Sequence, residues 1–374
     1  MNSKFWIAPA QRVLYSGCFL SNLSIMNPMN NCYRFLLVFS SLVFSIQGQA
    51  QWFDFSINSM TTRVDLEFWL DGDLNSAQAS AKKLSETVFN EFNRIDERMS
   101  RYRDDSELSE VNRMAASKNV LVSSELLSVL EKAQQVSRLS AGAFDMTFSS
   151  VGYLYDLRAS VQPTQSIISA NLPAINYQNV LLNTTARTVS FKEKGVLIDL
   201  GGIAKGYAVD QGIVVLKKAG IQHARLSAGG DMYLLGDKRG TPWIVGIKDP
   251  RPVNKATTNE TEESVSKFVG ALPLFDVAIS TSGDYERFFI DEAGQRIHHI
   301  LSPKTGRPAK GIQSVTVIGP DTTTTDGLST AIFVLGVKEG LALVERLAGI
   351  DVIIIDDQRR FHYSTGLMQP GVNN

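Results

Sequence analysis

Cysteine is almost missing from this chain: Cys18 and Cys32 are the only two in 374 residues, and both lie among the first fifty. Beyond residue 50 this excludes disulfides, thiol nucleophiles and cysteine metal sites. An excess of positive charge is missing too, since 37 Lys and Arg face 38 Asp and Glu. That balance excludes a protein whose main partner is nucleic acid. Internal repeats and heptads are also lacking, which excludes solenoids and coiled coils.

The first fifty residues have the pattern of an export signal. Arg34 precedes an uncharged apolar run over residues 35–46, and small residues ending at Ala50 follow. A run this short predicts a cleaved signal peptide, with an uncleaved membrane anchor as the alternative. We therefore predict a leader over residues 1–50, with a start at Met26 or Met29 as an open alternative. One domain is expected over residues 51–374.

Hydrophobic periodicity predicts the main elements of that domain. Alternation over residues 63–70 predicts a half-buried strand, and apolar residues at steps of three or four predict a helix through residues 84–99. Further helices are predicted at residues 124–140, 204–219 and 325–335, and further strands at 196–200, 223–227, 243–247, 314–318 and 352–355. Because these elements lack a regular βαβ rhythm, we expect an α+β domain with mixed sheets and packed helices.

A first candidate site surrounds two consecutive glycines. The predicted strand ends at Asp199, Gly201 and Gly202 follow, and Lys205 lies in the first turn of the next helix. A helix amino end offers free N–H groups and a positive dipole to a phosphate, and the lysine adds a charge. A purely structural turn is the alternative.

A second candidate site lies on the predicted helix near residue 325. Asp326 and Thr330 are four residues apart and therefore face the same way. A carboxylate and a hydroxyl in this relation suit Mg²⁺, which takes few protein oxygens. The alternative is an acid in the first helical turn, favoured there only by the helix dipole.

Two adjacent histidines, His298 and His299, form a third candidate. Imidazole titrates near neutral pH, so one of them could act as a general base. Two hydrogen-bonded strand histidines without a chemical role are the alternative.

Taken together, these motifs resemble the ApbE family, the FAD:protein FMN transferases, over residues 60 to about 336. The resemblance rests on seven motifs in the family's order, at residues 99–108, 142–145, 199–207, 228–231, 281–285, 299–306 and 326–330. It implies a T-fold-related catalytic domain. Thr61 and Ser302 depart from the family pattern, which usually has glycine and an acid at these positions.

The resemblance also implies roles for individual residues. His299 matches the proposed catalytic base, and the magnesium site matches Gly202, Asp326 and Thr330. The residues that match the family's FAD-binding positions are Met60, Tyr102, Ala143, Phe144, Asp145, Asp199, Lys205 and Ile300.

The implied activity is the Mg²⁺-dependent transfer of FMN from FAD to a Ser or Thr hydroxyl of an acceptor protein, with release of AMP. The implied partner is a membrane electron-transport subunit, and the implied location is the periplasm, with association to the inner membrane left open. Two alternatives share the same residues: a Mg²⁺-dependent FAD pyrophosphatase and a non-catalytic FAD-binding protein.

Overall fold

The computed structural model describes residues 51–72, 74–252 and 267–368. The predicted leader over residues 1–50 lies outside these ranges and stays a prediction. The strands are β1 (Gln51–Ser59), β2 (Thr62–Leu70), β3 (Val120–Leu121), β4 (Val180–Asn183), β5 (Thr188–Phe191), β6 (Ala224–Ala228), β7 (Asp231–Leu235), β8 (Trp243–Lys248), β9 (Phe268–Leu274), β10 (Val277–Gly283), β11 (Phe288–Ile290), β12 (Arg296–His298), β13 (Ile312–Gly319), β14 (Asp351–Asp356) and β15 (Phe361–Tyr363). The helices are α1 (Leu74–Met99), α2 (Glu107–Met114), α3 (Ser124–Leu139), α4 (Ser149–Gly152), α5 (Gln165–Asn171), α6 (Ala204–Lys218) and α7 (Thr322–Val344).

An antiparallel sheet of eight strands organises the fold, in the order β1-β2-β6-β7-β10-β13-β14-β15. Helices α1, α6 and α7 cover one face of it, and the ribbon of β8 and β9 covers the other. Strand β13 is buried along its whole length because both of its faces are covered. Its Val315 and Val317 join the helix-side core, whereas Ile318 joins the ribbon-side core.

The predicted periodicities are largely confirmed. Strand β2 buries Val64, Leu66 and Phe68, and helix α1 buries Phe92 and Ile95 against the same core. Burying each of these large side chains stabilises the fold by about 1.5–3 kcal/mol. The α+β prediction is therefore correct, although β2 also buries Glu67 on the face expected to be polar. Two cations, Lys238 and Arg225, bind that carboxylate.

Helix α7 is the most apolar helix among the described residues. Within those residues it is also the one helix long and apolar enough to cross a membrane, and half of its most apolar window is buried inside the fold. It begins at Thr322, three residues before the predicted start, because Asp321 accepts a hydrogen bond from the N–H of Thr324 and caps it there. Its regular part ends at residue 335, as predicted, because Gly336 follows with a φ of 81° that interrupts the helix.

Candidate active site

The segment leading into the glycine turn is not a strand, and the prediction of a strand at residues 196–200 is wrong. Side chains and loops satisfy its backbone instead of a sheet neighbour. Asn112 accepts from the N–H of Ile198 at 2.7 Å and donates to its carbonyl at 2.9 Å, and the N–H of Asp199 donates to the Met146 carbonyl at 2.9 Å. The segment is apolar because it is buried. Hydrophobic periodicity alone cannot distinguish such a buried irregular segment from a buried strand.

The turn itself brings Asp199 back onto its own backbone. Its Oδ1 accepts a hydrogen bond from the N–H of Gly201 at 2.6 Å, and the chain enters α6 without a side-chain cap. One N–H at the amino end of α6, that of Gly206, donates to Asp326 Oδ2 at 3.0 Å. The first and second predicted sites are therefore in direct contact, 120 residues apart in sequence.

A buried cluster of three charges joins these two sites. Lys205 Nζ lies 2.6 Å from Asp231 Oδ2 on β7 and 3.3 Å from Asp326 Oδ2 on α7. Both carboxylates are about 4% exposed and the lysine side chain 19%. With two carboxylates and one ammonium, the cluster has a net charge of about −1 when all three groups are ionised, and this charge favours a cation nearby.

The pKa shifts in the cluster follow from this arrangement. Burial by itself would lower the pKa of Lys205, but Asp231 and Asp326 raise it, so the lysine stays charged. Burial, and next the negative charge of Asp231, raise the pKa of Asp326 above its usual range. An additional cation would therefore stabilise the ionised form of the Asp326 carboxylate.

The three predicted magnesium ligands converge beside this cluster. Asp326 lies in the second turn of α7, because the helix begins at Thr322, so the dipole of the first turn does not explain its position. Thr330 follows one turn later, and a methyl group added to Gly202 would lie 3.4 Å from its Oγ1. Ser282 on β10 lies 3.4 Å from the same hydroxyl. One buried carboxylate, a hydroxyl and a glycine backbone form an oxygen donor set that fits Mg²⁺.

This donor set differs from the usual cluster of metal-binding side chains. Among the residues that the structure describes, no group of three or more His, Cys, Asp and Glu side chains is arranged to hold a metal ion. A site built on one carboxylate would leave most coordination positions to water and to substrate phosphate, as Mg²⁺ prefers.

The Phe144 segment forms one wall of the site. Its ring lies 3.2 Å from a methyl group built on Gly202, and both Ala143 and Phe144 are buried. The carboxylate of Asp145 is held by backbone groups of the protein itself: it accepts from the N–H of Thr147 at 2.8 Å and from the N–H of Tyr177 at 2.7 Å. Burial raises the pKa of Asp145. In this structure Asp145 holds the loop that carries Phe144.

Tyr102 lies at the rim and is the most exposed aromatic residue of the predicted set, at 67%. Arg101 packs over its ring at 4.3 Å and also forms an ion pair with Asp199. An exposed aromatic ring fixed by a cation is suited to stack on a planar ligand.

The two adjacent histidines have different environments. His298 is buried, donates from Nε2 to the Ala309 carbonyl at 2.9 Å and accepts at Nδ1 from the N–H of Ile300 at 3.3 Å. Both ring nitrogens are used, so His298 is structural. Ile300 is likewise buried, and its carbonyl accepts from the Ala309 N–H at 3.0 Å. This environment is that of the alternative interpretation, a hydrogen-bonded strand histidine without a chemical role.

Among the described residues, no group forms a hydrogen bond with the second ring nitrogen of His299. Its Nδ1 lies 3.3 Å from the Arg287 carbonyl, which can only accept, so Nδ1 carries the proton and Nε2 carries a lone pair. Burial lowers the pKa of His299 to about 3, and the charges of Arg287 and Lys205 act in the same direction. His299 is therefore a neutral imidazole that is able to accept a proton at Nε2.

Met60 lies in the tight turn between β1 and β2. Met60 and Thr61 both have positive φ, 51° and 60°, the conformation of a two-residue hairpin turn. Thr61 Oγ1 accepts from Arg287 Nη2 at 3.3 Å, which connects the turn to the residue that holds His299. An open cavity of about 580 Å³, lined by residues 58–63 with Asn93 and Asp96, lies at this turn and is largely exposed to solvent.

Three residues of the site were not predicted. Asp231 belongs to a recognised motif, but nothing local shows that its carboxylate meets Lys205. Arg101 precedes a predicted residue, and Arg287 lies between two motifs. The only signal in the sequence that points to them is that Arg101 and Asp231 are charged residues within motifs and that Arg287 follows a motif by two residues.

Comparison with known proteins places these residues in a family. The model of the ApbE family matches residues 60–354, a range that contains every predicted site residue. An FAD:protein FMN transferase from Treponema pallidum is 32% identical over 301 residues, 76% of this chain and 80% of that protein. Another, from Vibrio cholerae, is 32% identical over 273 residues, 71% of this chain and 78% of that protein.

Solved structures agree with the sequence comparison. The crystal structure of the ApbE protein from Thermotoga maritima has a TM-score of 0.72 at 31% identity, covering 84% of this chain and 97% of that one. The flavin transferase ApbE from Vibrio cholerae has a TM-score of 0.72 at 28% identity, covering 85% and 98%. The prediction of an ApbE-like α+β fold is confirmed.

Proposed function

The chain belongs to the ApbE family and is an enzyme of flavin transfer, and on this premise we propose that it moves FMN from FAD to a Ser or Thr hydroxyl of an acceptor protein. The hydroxyl oxygen forms a bond to the FMN phosphorus, the phosphorus–oxygen bond to the AMP half breaks, and AMP leaves with the bridging oxygen. The observation that carries the proposal is that the glycine turn, Thr330 and the buried cluster of Lys205, Asp231 and Asp326 lie together.

The proposed Mg²⁺ site and the Lys205 side chain would together bind the diphosphate of FAD. The Gly202 carbonyl, Asp326 and Thr330 would hold Mg²⁺, which when bound neutralises phosphate charge and favours departure of AMP. Lys205 has three N–H donors, and its two carboxylate contacts leave one for a phosphate oxygen. Because the ion pair with Asp231 on β7 already fixes the Lys205 side chain, Lys205 would orient the phosphate without first losing side-chain freedom.

His299 would accept the proton of the acceptor hydroxyl at Nε2. The Arg287 carbonyl holds the ring in the required tautomer, and the low pKa keeps the ring neutral. An anionic diphosphate bound nearby would raise that pKa towards neutrality and make the base stronger in the complex.

The flavin and adenine rings would use the apolar and aromatic parts of the site. Tyr102 offers an exposed ring face, Phe144 lines the glycine turn, and the cavity at Met60 has room for a planar group. With the leader over residues 1–50 removed, we propose that residues 51–374 act in the periplasm. The proposed acceptor is a membrane electron-transport subunit.

A labelling experiment tests the proposal. The purified chain is incubated with FAD, Mg²⁺ and an acceptor domain, and then with a matched acceptor in which the target Ser or Thr is replaced by Ala. We expect flavin fluorescence on the denatured acceptor, an added FMN in its mass, and one AMP for each label. AMP with free FMN in both samples would indicate a pyrophosphatase, and FAD binding without AMP would indicate a binding protein; either result refutes the transferase.

A further inference from the structure

Asp210 connects the two helices that carry the site, and no predicted role uses it. It lies on α6, and its carboxylate accepts from the backbone N–H groups of Thr322 and Thr323, each at 2.8 Å, and from the Thr323 hydroxyl. These N–H groups are at the amino end of α7, one helical turn before Asp326. A carboxylate of one helix thus caps the end of the other.

This cap is additional to the one that α7 provides for itself. Asp321 accepts from the N–H of Thr324 at 2.8 Å and from its hydroxyl at 2.6 Å. Helix α7 therefore has a normal cap from its own segment. What Asp210 adds is a connection between α7 and α6.

The two helices also touch closely at Gly206. A methyl group there would lie 2.3 Å from the Thr322 carbonyl oxygen and 2.8 Å from Asp326 Cβ, so only glycine fits. The N–H of Gly206 donates to Asp326 Oδ2. Gly206, Asp210, Thr322 and Thr323 form what we call the α6–α7 clamp, which holds the first turn of α7 at a fixed height along α6.

We infer that Asp210 is a positioning residue for the proposed cation site: through the clamp it sets where the Asp326 carboxylate lies relative to Lys205 and Gly202. The inference rests on the proposed function. A slip of α7 by a single residue would move Asp326 by about 1.5 Å along the helix. Metal ligands must be placed to within about 0.2 Å, so even a small part of that slip is enough to weaken binding.

Binding of Mn²⁺ alone, measured by electron paramagnetic resonance on the purified full chain, tests this role. Asp210→Ala removes the connection between the helices, and Asp321→Ala removes a cap from the same helix end whose hydrogen bonds go only to Thr324 of α7. We expect both variants to lower the melting temperature. Asp210→Ala should also weaken Mn²⁺ binding by about 10-fold, the lower end of the range for losing a group that hydrogen-bonds a metal ligand directly, because Asp210 acts on Asp326 only through the first turn of α7. Asp321→Ala should stay within about twofold of wild type, since its loss leaves the clamp in place.

Asp210→Asn keeps one acceptor oxygen and provides a milder variant should Asp210→Ala not fold. Its Mn²⁺ affinity should lie between that of wild type and that of Asp210→Ala. If Asp210 and Asp321 variants lose melting temperature equally and all bind Mn²⁺ like wild type, Asp210 is only a helix cap and the inference is wrong. If wild type itself binds no Mn²⁺, the proposed cation site is wrong, and the inference is refuted with it; this result is distinct from the first.

Discussion

Lys205→Met is the substitution that tests the charge cluster most directly. It removes the one ammonium that lies between Asp231 and Asp326, at 2.6 Å and 3.3 Å, while keeping a side chain of similar length. Among the residues that the structure describes, no other cation pairs with these two carboxylates, which are each about 4% exposed, so the substitution leaves them without a counter-ion. Breaking a buried pair in this way costs about 3–5 kcal/mol. At roughly 2 °C per kcal/mol for a large domain, the melting temperature should fall by about 6–10 °C.

Thermal melts in EDTA across a range of pH measure this effect. Burial and Asp231 already raise the pKa of Asp326 in the native protein, and loss of the lysine raises it further. The folded variant then binds more protons than the unfolded chain, so its stability increases as the pH is lowered and the deficit is largest at alkaline pH. Added Mg²⁺ should restore about 2.7 kcal/mol at a concentration 100 times its dissociation constant.

The double variant Lys205→Met with Asp231→Asn is the control. It removes one of the two opposing carboxylate charges, so it should melt above Lys205→Met alone. A Lys205→Met protein that melts within about 2 °C of wild type at alkaline pH would refute the reasoning, since that corresponds to at most 1 kcal/mol. So would a double variant no more stable than the single one.

Four further predictions concern the surroundings of the cluster. His299→Asn should abolish FMN transfer while leaving FAD binding within about threefold, measured by flavin fluorescence. Because the pKa of His299 is lowered to about 3, the acid limb of kcat/KM in the wild type should lie well below the ordinary value of 6.5; an inflection at 6.5 would contradict the assignment. Asn112→Ala removes both hydrogen bonds to the backbone of Ile198. It should lower the free energy of unfolding, measured by urea denaturation, by about 2 kcal/mol and weaken FAD binding. An unchanged midpoint of urea denaturation would show that other contacts hold residues 196–200. Thr61→Gly removes the steric strain of a β-branched residue at a φ of 60° and should raise the free energy of unfolding by about 0.5–1 kcal/mol in the same assay. A lower free energy of unfolding would mean that the contact of Thr61 with Arg287 stabilises the fold by more than the strain costs.

Local patterns in the sequence were sufficient for the class of fold and for the family. The alternation in β2 and the three-to-four spacing in α1 report directly which face of each element is buried, because period and geometry are linked within a few residues. Each motif also keeps its own glycine, acid or hydroxyl at short range. The seven motifs in order therefore sufficed to predict an ApbE-like α+β enzyme.

Only the tertiary structure decided which of these groups meet. Residues 196–200 have the composition of a buried strand but are held by Asn112 and loop backbone. Which of two neighbouring histidines is available depended on carbonyls of Ala309 and Arg287, more than ten residues away along the chain. The contacts of Lys205 with Asp231 and Asp326 span 26 and 121 residues. Pairing over such distances depends on how whole helices and strands pack. The sequence around a charged residue therefore does not show which distant residue neutralises it.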